Sequence, residues 1–453
     1  MDARKDYSHA YTRQPAIDAF IVLFLGIMTG LILTLASSLE DKWFACITLG
    51  ILCFSVLLIV PNREKLLLYA SILLIPVGLD FYLMRLNVTS YPTPINVFRI
   101  TAFDIVFYIL LACWAIRLIV SRGNGFNLHP YITVPFFFLW ILSLASSIQS
   151  PLPWLLKISN LYYLLMNGLF FLYLANNIRD LETAYIVVAL FVAAAVIQSL
   201  LAIAQFSTNS SLGLKFFGAG EKSFFAMKAG AGIVGRVAGT FDHPNRLAFY
   251  LSNLLPWCIA LFLAPVRFRL KPLILAALVI IGIAELLTFS RGGWLNAGVA
   301  VIITFTWCLA KRTKKKVLSI LFVTAFLLLT FVIAVTFFKP VKQRLFEEDY
   351  GTAYTRVPLA KLALNMIRHN PLLGVGLGSF TAAAPKYDTT REAISHTFPA
   401  PVHNEFLLVA SELGLPAFLL FLIILATIFI KLIRDLETTN SIKYWLKKHI
   451  NED

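Results

Sequence analysis

The sequence predicts an all-α, polytopic integral membrane protein. It has about twelve transmembrane helices and a long outer loop carrying short helices before the last of them. Three observations predict this. Hydrophobic residues make up 59% of the 453 residues and charged residues only 14%, against roughly 25% charged in a soluble domain. Apolar runs of about 20 residues, long enough to cross a hydrocarbon core, recur from Ile17 to Ile430. Basic residues collect in alternate connecting segments, as they do on the cytoplasmic side of membrane proteins. A soluble enzyme, a secreted disulfide scaffold and a disordered chain are excluded.

In order, the expected spans are 17–39, 43–60, 66–84, 101–120, 131–148, 154–175, 183–206, 246–264, 272–289, 292–310, 317–337 and 406–430. The first is too long for a signal-peptide core and is expected to be retained. A tight turn at Ser290-Arg291-Gly292 separates the ninth from the tenth. Two regions are expected: an N-terminal bundle of seven spans over 1–206, and a second membrane region over 207–453 that includes the outer segments 207–245 and 338–404.

Orientation follows from the cations. With the N-terminus in the cytoplasm, short outer loops hold only Lys42, Arg85, Arg99 and Arg291, while basic clusters such as Lys311 to Lys316 fall inside. Both termini are then cytoplasmic. The two long outer segments are nevertheless basic, with Lys215, Lys222, Lys228 and Arg236 in one and Arg356, Lys361, Arg368 and others in the second. An anionic substrate on that face is the simplest functional explanation, attraction to anionic headgroups the other. The formal net charge of +15 is otherwise the ordinary sorting bias, and no nucleic-acid-binding module is visible. The five cysteines sit in apolar runs without C-x-x-C spacing, so neither a disulfide framework nor a thiolate metal site is expected. Residues Arg356 to Arg368 read as a short helix along the membrane surface, with Val357, Ala360, Leu364 and Ile367 on its apolar face.

Four outer stretches carry the candidate chemistry: Arg236 to Asn245, Thr288 to Gly293, His369 to Phe380, and Pro401 to Phe406. Arg291, alone between two apolar spans, needs water, a partner or a ligand, and its planar fork suits phosphate oxygens. Glycines 292 and 293 allow close approach. His403, at the mouth of the last span, is a candidate general base. His243, His369 and His396 rank behind it, and no spacing supports a metal site. Glu285 is an intramembrane carboxyl and hence a candidate for binding; Lys157 has the same status. Gly374-Val-Gly-Leu-Gly378 lacks the Lys-Ser/Thr of a Walker loop and is expected to be a flexible turn.

Together the four stretches resemble the bacterial O-antigen ligase and O-antigen polymerase superfamily, over roughly residues 230–430. The likeness rests on Arg-x-x-Gly-Thr-Phe from Arg236, Ser290-Arg-Gly, Asn370-Pro-Leu-Leu-Gly-Val-Gly-Leu-Gly, and His403-Asn-Glu-Phe followed by Glu412-Leu-Gly-Leu-Pro. The ligase pattern His-Asn, nine residues, Gly-x-x-Gly/Thr/Tyr is met up to Gly414 and closes on Ala417 instead. The resemblance implies a C-type membrane glycosyltransferase fold in the bacterial inner membrane. It implies transfer of a glycan from an undecaprenyl diphosphate carrier to a glycan or lipid acceptor hydroxyl on the periplasmic side, without metal or other cofactor and with inversion. It also implies that Arg236 and Arg291 hold the diphosphate, that His403 takes the acceptor proton, and that Asn404, Arg246 and Glu285 contribute to substrate binding. Two alternatives stand beside it. One is a lipid-linked saccharide transporter, which needs no base. The other is a metal-dependent enzyme using Glu40-Asp41 or Glu347-Glu348-Asp349.

Overall fold

The computed structural model describes residues 62–85, 97–123, 126–214, 225–229, 232–264, 268–312 and 354–438, with isolated helical positions at 26, 30, 34, 321, 336 and 342. The expected spans at 17–39, 43–60 and 317–337, and both acidic clusters, lie outside the described residues. The chain forms two compact units, Met1–Leu67 and Leu68–Asp453. All that follows on packing concerns the second.

Helix α1 covers Arg63–Leu74 and is followed by an antiparallel ribbon of β1 (Asp80–Arg85) and β2 (Val97–Thr101). This corrects the expected span over 66–84. Pro76 and Gly78 interrupt the apolar run; proline removes a helical donor and clashes with the preceding turn. Four helices follow: α2 (Ala102–Val120), α3 (Pro130–Gln149), α4 (Trp154–Asn177) and α5 (Leu181–Thr208). Their starts are written in the sequence. Thr101 and Asp104 form a reciprocal capping box on α2, and Asp180 caps α5 by accepting from the Thr183 N–H at 2.7 Å.

A second ribbon, β3 (Phe225–Ala229) and β4 (Gly232–Arg236), leads into α6 (Pro244–Leu263), α7 (Lys271–Leu287) and α8 (Arg291–Arg312). Arg291 and Gly292 therefore already belong to α8, and the turn is Thr288–Ser290. Beyond come α9 (Arg356–His369), α10 (Phe380–Tyr387), α11 (Ile394–Thr397) and α12 (Glu405–Thr438). Among the described residues seven helices are long and apolar enough to cross a membrane. The chain is a helical, multi-pass membrane protein, and among the described residues the two ribbons depart from all-α structure.

Helices α5 to α8 pack together around Leu247, Leu251, Leu254, Cys258, Ile281 and Ala284. Helix α12 lies along α3, where Leu139, Leu413 and Ala417 meet; the small Ala417, fully buried, lets the two helices approach. Gly414 (φ 82°, ψ 171°) breaks α12 into Glu405–Leu413 and the longer piece beyond it. Helix α9 also differs from expectation. Its packed row is Leu359, Leu362, Ala363 and Met366, whereas Val357 and Leu364 are 61% and 45% exposed. Both faces of the helix carry four apolar residues, and the buried one is that which meets Val375, Phe380, Ala383 and Val402.

Candidate functional site

Arg236 ends β4, directly before the Val237–Thr240 segment, which is buried throughout. Two glutamines of α5 hold that segment. The Gln205 amide donates to the Gly239 carbonyl at 2.8 Å, while its oxygen accepts from the Gly239 N–H at 2.9 Å and the Ala238 N–H at 3.3 Å. The Gln198 oxygen accepts from the Thr240 N–H at 3.0 Å, and its amide donates to the Thr240 hydroxyl at 2.8 Å. That hydroxyl donates to the Pro76 carbonyl at 2.6 Å. Gly239 sits at φ +60°, and a methyl there would lie 2.5 Å from the Gln198 oxygen, so a larger residue is strained and displaces that amide.

Held in this way, the Arg236 guanidinium joins two of the four stretches. Nε donates to the Thr288 carbonyl at 2.9 Å, and one terminal nitrogen donates to Asn245 Oδ1 at 2.8 Å. On the Thr288 side the chain is strained. Phe289 is fully buried at φ +50°, a conformation that costs a bulky residue of order 1–3 kcal/mol. The Ser290 hydroxyl accepts from the Gly293 N–H at 3.3 Å and so starts α8, with Arg291 as its first residue. Gly292 has nothing within 4 Å of the place a methyl would take. At Gly293 such a methyl would fall 2.5 Å from Glu285 Oε1 and 2.6 Å from Ala248 Cβ. Glu285 is 3% exposed, and neither carboxyl oxygen has a hydrogen-bond partner among the described residues. It therefore lies behind the turn, in the packing of α6, α7 and α8, rather than on the face that Arg291 begins.

His243 caps α6: its Nδ1 accepts from the Asn245 N–H at 3.0 Å. In the neutral ring the proton is then on Nε2. Burial pushes its pKa down to about 4, with the Arg236 charge next; Asp242 opposes this, and Arg246 and His403 add to it. Arg246 pairs with Asp242 at 2.8 Å in an exposed i, i+4 bridge, which contributes little to stability.

His403 is solvent-accessible, packs its ring edge-on to Phe398, and interacts electrostatically with His243. The surrounding protein and then the Arg356 guanidinium hold its pKa below the ordinary histidine value. Asn404 follows as the cap of α12, its Oδ1 accepting from the Leu407 N–H at 3.1 Å.

The glycine-rich stretch is not the flexible turn expected. Gly378 and Phe380 N–H groups donate to the two Glu412 carboxyl oxygens at 2.8 and 2.9 Å. The Val375 and Gly376 N–H groups donate to the Ser411 and Glu412 carbonyls at 3.0 and 2.8 Å. Ser150 bonds Ser379 at 2.6 Å, and Asn160 donates to the Leu377 carbonyl at 3.1 Å. A methyl at Gly374 would collide with the Glu412 backbone and one at Gly414 with the Leu372 carbonyl, each at 2.3 Å. The group this loop binds is the chain's own Glu412 carboxyl.

Arg236, Asn245 and Thr288 are thus joined by hydrogen bonds, with His243 capping the same helix start and His403 within electrostatic reach of His243, and Arg291 begins α8 three residues beyond Thr288. His369 stands apart, its Nδ1 2.8 Å from the Asn365 carbonyl oxygen and its ring beside Tyr387. His396 lies in α11. Gln198 and Gln205, the role of Glu412 as partner of the glycine loop and the effect of the Arg356 charge on His403 escaped the sequence reading. A seven-residue polar spacing within an apolar run was the one signal for the two glutamines. Among the described residues no group of three His, Cys, Asp or Glu is placed to hold a metal ion.

Comparison with known proteins gives one result at this point. Residues 276–422, from α7 to the middle of α12, match a family model described as O-antigen ligase. This supports the O-antigen ligase/polymerase superfamily and, in general terms, its glycan transfer. No curated protein matches, and no solved structure matches.

Proposed function

We propose that this multi-pass membrane protein, with its O-antigen ligase region over residues 276–422, moves a saccharide from an undecaprenyl diphosphate carrier to an acceptor hydroxyl. In this proposal it acts on the periplasmic face of a bacterial inner membrane, both termini are cytoplasmic, and the product is O-antigen or exopolysaccharide. Residues 1–206 supply a bundle of spans and 207–453 the transfer region. The observation that carries the reading is the Arg236 bridge to Thr288 and Asn245.

The acceptor oxygen attacks the anomeric carbon as the bond from that carbon to the diphosphate oxygen breaks. One displacement inverts the centre. His403, neutral near pH 7 because its pKa is lowered, takes the proton from the acceptor hydroxyl. Arg236 and Arg291 stabilise charge on the departing diphosphate. Arg246 and Asn404 flank the entry and contact substrate. Glu285 contributes to the donor site through the turn above it. No metal is required in this scheme. The acceptor is a lipid for a ligase and a second carrier-linked glycan for a polymerase.

The test is transfer from a polyisoprenyl diphosphate-linked glycan by purified wild type and His403→Ala, with EDTA present, offering an acceptor lipid and excess donor. Transfer by wild type alone supports the scheme, and the product separates ligase from polymerase. Full activity of the variant removes His403. Dependence on added divalent metal removes the metal-free scheme. Donor movement across the membrane without transfer favours the transporter.

A further inference from the structure

We propose that Gln198 and Gln205 of α5 are positioning residues that set Arg236 in the site, so that the working unit reaches well before the matched region into the N-terminal bundle. The inference rests on the reading of Arg236 as a cation that holds the donor diphosphate.

Both glutamines lie inside a 28-residue apolar helix and are 1% and 0% exposed. A buried primary amide costs free energy unless its hydrogen bonds are made. Both make them to the same short piece of chain, which needs main-chain partners because it belongs to no helix or ladder. Seven residues is close to two helical turns, so the two side chains stand on one face of α5. Gln205 grips Ala238 and Gly239; Gln198 grips Thr240 and also donates to the Pro76 carbonyl at 3.3 Å. The clamp therefore joins three parts of the chain: the segment after α1, α5, and the strand end that carries Arg236.

Only Val237, itself fully buried, separates Arg236 from the clamped residues, so its backbone has little freedom of its own. A shift of about 1 Å in a group that positions substrate can cost about 100-fold in rate. An apolar residue at 205 would leave two N–H groups and a carbonyl without partners, and the segment would have to move to reach others.

The test is a double-mutant cycle on the full-length protein in nanodiscs, with initial rates of transfer from a polyisoprenyl diphosphate-linked glycan. Gln205→Leu is expected to lower kcat about 10-fold to 100-fold, with a smaller change in KM for the acceptor. In the Arg236→Ala background the same substitution is expected to cost less than about 2-fold, because a residue acting only through the Arg236 side chain has nothing further to lose. Gln205→Glu, which keeps the acceptor and loses the donor, is expected to recover part of the rate. It also serves where Gln205→Leu fails to elute as the wild type.

A readout without turnover is trypsin cleavage after Arg236, followed by mass spectrometry. Wild type is expected to resist, and Gln205→Leu to be cut at that bond. Additive losses in the cycle, or a full rate for Gln205→Leu, overturn the inference while leaving Arg236 in place. A full rate for Arg236→Lys and Arg236→Ala overturns the reading of Arg236, and the inference falls with it.

Discussion

Arg236 and Thr288, 52 residues apart, are joined by one hydrogen bond of 2.9 Å from Nε to the main-chain carbonyl. The bond fixes the guanidinium plane at the entrance to the α7–α8 turn. One terminal nitrogen is used by Asn245. Arg236→Ala is expected to lower transfer by about 100-fold or more, with expression and elution unchanged. Arg236→Lys is expected to fall between, since an ammonium cannot hold both partners in one plane. Steady-state rates for the three forms check this.

The pH dependence of transfer reports His403. A base works unprotonated, so the rate is expected to fall as pH drops through its depressed pKa and to be level above it. Arg356→Gln removes a neighbouring cation. The pKa then rises, and the acidic limb moves to higher pH. A limb that stays in place in kcat/KM profiles shows that Arg356 does not act on His403.

His243 gives a separate pH signature, in stability. Its folded pKa is about 4, against about 6.5 unfolded. Between these values the unfolded chain binds the additional proton, so stability is full above pH 6.5 and is lost as pH falls towards 4. His243→Asn keeps a capping acceptor and is expected to flatten this part of the profile. Thermal unfolding in detergent from pH 4 to 7 measures it.

Neighbouring glycines at the start of α8 are expected to respond oppositely to a methyl. Gly292→Ala meets nothing and replaces a glycine in a helix, so stability is expected to hold or rise by about 0.5–1 kcal/mol. Gly293→Ala drives into Glu285 and Ala248 and is expected to cost about 1–3 kcal/mol. Paired melting curves decide. Equal behaviour of the two would contradict the packing described.

Helix α9 presents Val357, Lys361, Leu364 and Arg368 on one exposed stripe, opposite its packed row. In the proposal that it rests on the membrane surface, the apolar residues enter the interface and the cations reach anionic headgroups. Tryptophan at Leu364 is expected to be quenched by brominated lipids in nanodiscs containing phosphatidylglycerol. Strong quenching by aqueous iodide instead would place the stripe in water.

Much of this was legible in the sequence, for reasons that also explain what was not. Helices α2 to α8 coincide with long, predominantly apolar runs, and their caps at Thr101, Asp180 and His243 are local signals. The run over 66–84 misled because average hydropathy does not register Pro76 and Gly78. On α9 the row Val357, Ala360, Leu364 and Ile367 is a genuine apolar face; selecting Leu359, Leu362, Ala363 and Met366 requires knowing what packs there. The order of Arg236, Arg291 and His403 pointed to a site, but Gln198 and Gln205 read only as stray amides until their partners on another segment were known. Gly374 to Gly378 suggested mobility because glycine permits it; Glu412, more than thirty residues away, removes it.

The break at Gly414 makes α12 two pieces in register with different things. Glu405–Leu413 is tied to the glycine loop through Glu412 and touches α3 at Leu413 and the Glu412 carbonyl, while the remainder continues along α3 from Ala417. One residue inserted beyond Gly414 would turn the remaining helix by about 100° and leave His403 where it is. The same insertion between His403 and Glu412 would swing the imidazole by that angle relative to Arg236. Tolerance of length change in this helix should therefore switch abruptly at a single glycine, and a scan of single-alanine insertions from 405 to 425 would show the step.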